Sequence, residues 1–248
     1  MNLNNVIAVR SDKTVYRDGN YSIKVFNEGY AKTDVLNEAL NQARVENVGL
    51  NVPKVIEVMM IDGKWAIVSE YVEGKTLATL IEENPDKLDE YLDFFVKLQI
   101  EMHTKRVPLL TELRDKMRNK IEESSLDETL KFDLRTRLKS MPRHHKLCHG
   151  DFDFSNIIIS PNGLAYILDW SHVTQGNASA DVARTYLLFS LQGKDELAKK
   201  YLQLFCQYTN TDIRYVQSWM PIVAASQSVK GREEEKEFLL SWANVVDY

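Results

Sequence analysis

Cysteine is scarce in this sequence: Cys148 and Cys206 are the only two among 248 residues, with no CxxC pair and no zinc-type spacing. That excludes a disulfide framework and leads to the expectation of a reducing, cytoplasmic setting. Long apolar runs are also missing. None approaches the roughly 20 residues of a membrane-spanning helix, and Met1-Asn2-Leu3-Asn4-Asn5 lacks the basic stretch and apolar core of an export signal. No membrane partner is expected. There is no surplus of positive charge either: the net charge is −5, which excludes the basic footprint of a duplex-binding protein and, with it, nucleic acid as a partner. No repeat, low-complexity tract or evident protein-docking element stands out. What is there is an ordinary globular composition, 44% hydrophobic and 27% charged, in a chain long enough for two lobes sharing a cleft.

The opening third reads as strands. Val6 to Arg10, Thr14 to Arg17 and Tyr21 to Phe26 are separated by Ser11-Asp12-Lys13 and by the hairpin signal Asp18-Gly19-Asn20. From Lys32 to Asn47 the period becomes helical, with Val35, Leu36, Ala39, Leu40 and Ala43 on one face. Two more strands, Lys54 to Met60 and Trp65 to Glu70, flank the turn Asp62-Gly63. After Gly74 the pattern predicts helices over about 76–83, 86–104, 111–123, 127–140, 194–209, 212–229 and 233–247, with Ser125-Leu126-Asp127-Glu128 as a capping box. One stretch interrupts them. Asn156 to Ser160 and Leu164 to Leu168 flank Pro161-Asn162-Gly163 as a short hairpin, a platform suited to chemistry.

Leading into that hairpin is His149-Gly150-Asp151-Phe152-Asp153-Phe154-Ser155-Asn156, and Asp169 ends the apolar strand that returns from it. Taken singly, an Asp or Asn in a loop is an ordinary turn former or helix cap; the joint spacing is what carries information. The stretch resembles the catalytic loop of the aminoglycoside phosphotransferase and choline kinase family, His-x-Asp followed after four residues by Asn, and Asp169-Trp170-Ser171 resembles the position of the kinase Asp-Phe-Gly. The resemblance implies phosphoryl transfer to a hydroxyl. Asp151 would be the carboxylate at the attacking hydroxyl, and Asn156 and Asp169 the oxygen ligands of Mg²⁺. His149 and Asp181 would support the loop, and Asp153 occupies a position that the family leaves variable.

The first half extends the likeness. Tyr21-Ser22-Ile23-Lys24 resembles the kinase strand whose lysine binds phosphates, which makes Lys24 the phosphate lysine and Glu38, on the predicted helix, its partner. Ser69-Glu70-Tyr71-Val72-Glu73-Gly74 resembles a hinge in which the Glu70 carbonyl and the Val72 N–H read the base, with Ser69 implying a roomy pocket. The implied fold class is α+β and protein-kinase-like. It comprises an N-terminal antiparallel sheet with one helix over 1–70, a hinge at 71–74, and a mostly helical lobe over 75–248 that carries the catalytic hairpin.

Departures from the protein kinases are equally specific. No G-x-G-x-x-G covers the phosphates, so Ser11, Thr14 and backbone N–H groups are expected to do so. Gly150 stands where many protein kinases have arginine, and no Ala-Pro-Glu follows Asp169. The donor is expected to be ATP or GTP and the acceptor a small molecule with a hydroxyl: an aminoglycoside, choline, ethanolamine or another metabolite. A surplus of acid in the last hundred residues, including Glu233, Glu234, Glu235 and Asp247, would suit a cationic acceptor, although a solvated surface is the simpler reading. Trp219, Trp242, Tyr201, Tyr208, Tyr215 and Tyr248 could stack on it; at helical spacing such aromatics are ordinarily core. The rival from another class, a nucleotide-binding protein without catalysis, predicts loss of a catalytic residue, and Lys24, Asp151, Asn156 and Asp169 are all present.

Overall fold

Strand pairing accounts for the first third of the chain. In a computed structural model, which describes residues 1–229 and 233–243, β1 (Val6–Val9), β2 (Lys13–Asp18) and β3 (Tyr21–Phe26) form a meander. Helix α1 (Lys32–Val45) follows, and β4 (Val55–Ile61) and β5 (Lys64–Glu70) form a second hairpin. The sheet is wholly antiparallel, in the order β1-β2-β3-β5-β4. Alternation along β3 sorts its residues by face. Ile23 and Val25 cluster with Ala66 and Val68, whereas Phe26 clusters with Ile67 and with Val35 and Ala39 of α1. Lys24 has the parity of Phe26 and therefore projects on the side of α1.

The elements continue as β6 (Lys75–Thr76), α2 (Leu77–Glu83), α3 (Leu88–His103), α4 (Leu113–Glu123), α5 (Glu128–Ser140), β7 (Lys146–Cys148), β8 (Ile157–Ile159), β9 (Ala165–Ile167) and β10 (Thr174–Gly176). Then come α6 (Ala178–Leu191), α7 (Asp195–Thr209), α8 (Ile213–Gln217), α9 (Met220–Ser228) and α10 (Glu233–Ala243). Two compact units result: residues 1–85 with 154–172, and residues 86–153 with 173 onward. The segment 71–74 lies inside the first unit, because β6 beyond it joins β8 and β9 in a sheet of order β6-β8-β9. The second unit is helical apart from the antiparallel pair β7 and β10. No described helix is long and apolar enough to cross a membrane.

Four local expectations give way to other physics. Leu36 and Leu40 of α1 are exposed, and its buried face runs through Val35, Glu38, Ala39, Asn41, Gln42 and Val45, because polar residues are needed inside. Asp127, not Ser125, caps α5, its carboxylate accepting from the Leu130 N–H at 3.0 Å. The helix expected over 212–229 is divided at Ser218 and Trp219, with Pro221 in the first turn of α9, where its missing N–H does no harm. Helix α6 was not signalled at all: ten of its fourteen residues are buried, so it has no polar face to mark a period. Asp247, Tyr248 and the end of the helix expected to 247 lie outside the described residues.

Gly74 gives the first unit a test. Its φ is 146°, and a Cβ there would stand 2.2 Å from the Ile159 carbonyl oxygen. Gly74→Ala should therefore destabilise the fold by about 2–4 kcal/mol through backbone strain and a clash with main chain that cannot rotate away. Urea unfolding reads this directly, and an unchanged midpoint would rule the close approach out.

Candidate active site

Buried charges must be paired or they shift toward neutrality, and the first unit meets this demand with four side chains in a closed ring. Lys24 Nζ makes a short bond to Glu38 Oε1 and lies 3.4 Å from Asp169 Oδ1. Lys13 Nζ, from the first residue of β2, lies 3.3 Å from Asp169 Oδ2 and 3.8 Å from Glu38 Oε2. Each ammonium thus faces both carboxylates, and the formal charges sum to zero. Burial pulls the Lys24 pKa down, but the fields of Asp169 and Glu38 outweigh it and the pKa ends raised, so the lysine stays charged. Gln42, one turn beyond Glu38, donates to the Pro53 carbonyl at 2.7 Å and to Ser69 Oγ at 3.3 Å, fixing the rotation of α1 that keeps Glu38 inward.

Asp169 reaches this ring from an unusual backbone. Its φ is 58°, a left-handed conformation that Asp tolerates better than most residues but that still costs about 1–3 kcal/mol. The segments on either side hold it there. The Leu168 N–H donates to the Asn156 carbonyl at 2.8 Å and the Ile167 N–H to the Asn51 carbonyl at 3.0 Å, while buried Trp170 donates from Nε1 to the Ile167 carbonyl at 3.0 Å. Asn156 and Asp169 consequently leave neighbouring positions on the two arms of the hairpin.

A cavity of about 600 Å³ is lined by Lys13, Lys24, Asn156 and Asp169 at one side and by Ser69, Glu70 and Val72 at another, a size usual for small-ligand sites. The segment at Glu70 is held by backbone bonds, Glu70 N–H to the Lys54 carbonyl at 2.9 Å and Tyr71 N–H to the Asn20 carbonyl at 2.8 Å. Arg17 adds a clamp, with its guanidinium 3.9 Å over the Tyr71 ring and 2.6 Å from Glu73. Ser11 is exposed, and Thr14 falls between Lys13 and Val15, which line the cavity; by strand alternation Thr14 points to the opposite face. Asn156 and Asp169 offer hard oxygens of the kind magnesium takes, and Asp169 already draws two ammonium groups. Among the described residues no three His, Cys, Asp or Glu side chains form a metal cage.

Asp151 belongs to the second unit, where α6 grips its loop. Gly150 has φ 79°, a conformation in which a side chain would be strained. Its N–H donates to Asp181 Oδ1 at 2.7 Å, and its carbonyl accepts from Arg184 Nε at 3.2 Å; residues three apart on one helix face hold both backbone polar groups of this glycine. Thr185 Oγ1 donates to the Phe152 carbonyl at 3.1 Å, and His149 Nδ1 accepts from the Asp151 N–H at 3.2 Å. Arg184 Nη2 stands 3.5 Å from Asp151 Oδ1. Under the loop, Asp181 also accepts from His103 Nε2 at 3.0 Å and from Gln99 Nε2 at 3.3 Å, and Tyr201 donates to Gln99 at 2.5 Å. Phe152 packs on Phe95 with ring centroids 4.6 Å apart.

The residues missed in the sequence are Lys13 and Arg184. Lys13 reads there as part of a polar turn, and only its burial, at 8% exposure, distinguishes it. Arg184 lies on the unsignalled α6; once that helix is drawn, its spacing from Asp181 would have pointed to it. Of the aromatics considered for stacking, Tyr201 and Trp219 are core, Tyr208 binds Asp93 at the surface, and Tyr215 is engaged by Asn177. Trp242 packs edge-on against Tyr186.

Comparison with known proteins follows the same lines. A family model described as the phosphotransferase enzyme family matches residues 6–217. No curated protein sequence matches. Among solved structures, a thermostable mutant of aminoglycoside phosphotransferase APH(4)-Ia, in a ternary complex with AMP-PNP and hygromycin B, is similar at TM-score 0.68 and 14% identity, covering 96% of this chain and 89% of that one. Choline kinase LicA from Streptococcus pneumoniae is similar at TM-score 0.61 and 17% identity, covering 97% and 94%. ADP-bound aminoglycoside phosphotransferase APH(2'')-Ib is similar at TM-score 0.64 and 15% identity, covering 96% and 89%. The fold is kinase-like.

The anchor under the loop titrates. Burial raises the Asp181 carboxyl, but the bond and field of His103 and the Gly150 N–H outweigh it, leaving the pKa lowered. A group depressed on folding contributes stability that is present above its unfolded value, about 3.9, and is lost as pH falls through the folded value. The stability advantage of the wild type over Asp181→Asn should therefore shrink as pH drops below about 4. Urea unfolding at a series of pH values measures it, and a difference that grows in acid would reverse the assignment.

Proposed function

Because the chain belongs to the phosphotransferase enzyme family and is a small-molecule kinase, we propose that it transfers the γ-phosphate of ATP or GTP, bound as the magnesium complex, to a hydroxyl of a cationic small molecule of the aminoglycoside or amino-alcohol class. The observation that carries this reading is the ring of Lys13, Lys24, Glu38 and Asp169 on a cavity that also borders Glu70 and Val72. A charged lysine held by a buried glutamate suits phosphate oxygens, and peptide groups at Glu70 and Val72 suit a nucleobase, since backbone donors and acceptors read its edge whatever their side chains. Ser11 and Thr14 take no side-chain part in this reading, since Ser11 is exposed and Thr14 alternates away from the cavity. Asn156 and Asp169 would hold magnesium, which when bound neutralises charge on the phosphates.

Asp151 is assigned to the acceptor. It orients the hydroxyl and takes its proton as the new O–P bond forms; the bond from the γ-phosphorus to the bridging oxygen breaks, and the nucleoside diphosphate leaves with that electron pair. Arg184 fixes the carboxylate's direction by holding Gly150 and Asp151 together. A cationic acceptor is supported by the second unit's acid near this loop and on α10, namely Asp153, Glu233, Glu234 and Glu235. Two free thiols, one of them buried, are consistent with the cytoplasm as the place of action.

Two variants separate the roles. Asp151→Asn should lower acceptor phosphorylation about a hundredfold to ten-thousandfold while leaving the dissociation constant for Mg²⁺-nucleotide, measured by calorimetry, within about twofold of the wild type; full activity would remove Asp151 from the chemistry. Asp169→Asn should raise the magnesium concentration for half-maximal rate and depress turnover together, and an unchanged magnesium titration would remove Asp169 from the metal site. The acceptor for both is found by screening aminoglycosides, choline and ethanolamine for stimulated release of ADP or GDP.

A further inference from the structure

The charge ring contains one more cation than the assigned roles require. Lys24 by itself answers Glu38, yet Lys13 is buried beside the same two carboxylates, its side chain 10% exposed. We propose that Lys13 is a second phosphate-holding lysine of the nucleotide site, taking the part that a glycine-rich cover would otherwise play. This rests on the kinase reading of the cavity.

Three observations support it. The first is the turn that carries Lys13. Arg10 N–H donates to the Lys13 carbonyl at 2.8 Å, closing a two-residue loop, Ser11-Asp12, between β1 and β2; Asn27, just past the end of β3, donates from its N–H to the Asp12 carbonyl at 2.8 Å and from Nδ2 to the Ser11 carbonyl at 2.9 Å. A turn tied by both carbonyls cannot fold its backbone down around phosphates as a glycine-rich loop does. It can present a side chain, and Lys13 is the residue that strand alternation sends toward the cavity.

The second is charge. With Lys13 the ring sums to zero; without it, Glu38 and Asp169 against Lys24 leave −1. A magnesium nucleoside triphosphate itself carries about −2, so a ring left negative would disfavour phosphate at that point, although Arg10 and Lys75 also line the cavity. The third is the partner that Lys13 holds. Asp169 is the proposed metal ligand, and a dication on that carboxylate would repel the ammonium now 3.3 Å away. Lysine has a flexible four-carbon stem and three rotatable donors, and the nearest new anion would be the phosphates themselves. In the free protein Lys13 thus neutralises Asp169, and in the loaded protein it passes to the phosphates.

The test is calorimetric and needs no turnover. Lys13→Met and Lys13→Gln are titrated with Mg²⁺-ATP and Mg²⁺-GTP, and with the matching nucleosides by competition. For the nucleotide that the wild type binds more tightly, both variants should bind about tenfold to a hundredfold more weakly, as expected for loss of a charge-assisted bond, with nucleoside affinity unchanged. An unchanged nucleotide constant overturns the proposal, as does equal weakening of nucleoside and nucleotide, which would mean general damage to the cavity. If Lys13→Met does not fold, Lys13→Gln, which can still hydrogen-bond both carboxylates, carries the test; failure of both to fold would make Lys13 a structural ion-pair partner and also overturn it. If the wild type binds neither nucleotide, the kinase reading fails first, and that failure is distinguishable because it appears before any substitution.

Discussion

The bond between Lys24 and Glu38 is the constraint from which much of the first unit follows. A glutamate at 4% exposure is tolerated only with a cation in contact, and that requirement fixes two elements against each other. Strand β3 must place Lys24 on the face of Phe26, and α1 must turn Glu38 rather than its leucines inward. Leu36 and Leu40 are left in solvent as a result, an arrangement that apolar burial alone would not select. Gln42 then locks the rotation by bonding the Pro53 carbonyl and Ser69. An ion pair of this sort adds little net stability compared with a well-packed apolar pair; its value lies in holding an ammonium at a defined point with its pKa raised.

The second unit solves a parallel problem with a different element. A loop that must hold the proposed catalytic carboxylate in place needs a fixed backbone, and loops lack the hydrogen-bond ladder that fixes helices and strands. Helix α6 supplies the missing partners through Asp181, Arg184 and Thr185, which bind the Gly150 N–H, the Gly150 carbonyl and the Phe152 carbonyl. Asp181 is in turn held by His103 and Gln99. Rigidity is thereby transferred from a buried helix to a half-buried carboxylate, so residues of α6 decide where Asp151 points.

Legibility in the sequence tracked how local each signal was. Strand alternation, two-residue turns and the spacing from Asp151 to Asn156 and Asp169 are short-range, and they led to the five-stranded sheet, the hairpin and the family resemblance. What escaped depends on burial, which a single sequence does not display. Helix α6 is buried nearly all round, with polar and apolar residues alike inside, so its period vanishes in the pattern. Lys13 looks like a surface charge until the fold encloses it, and the inward face of α1 was misplaced because the rule that apolar residues go inside is overruled where a site needs polar ones. Ser125 and Asp127 are both acceptable caps; geometry chose the one whose oxygen reaches the Leu130 N–H.

Backbone conformation links the two candidate carboxylates at a deeper level. Asp151 follows a residue at φ 79°, and Asp169 itself sits at φ 58°. In the first case the strained position belongs to glycine, which adopts it without a side-chain penalty, and the acid stands next to it. In the second the acid occupies the strained position, so geometry and charge reside in one residue and cannot be varied separately: glycine there would relax the chain and delete the carboxylate, while a longer acid would retain charge in a conformation it adopts poorly. The interactions that hold Asp169 in place, two lysines and the backbone bonds of the hairpin, offset that strain, and the same lysines balance the buried carboxylates. The ring therefore stabilises a distorted backbone and neutralises a buried charge with the same contacts.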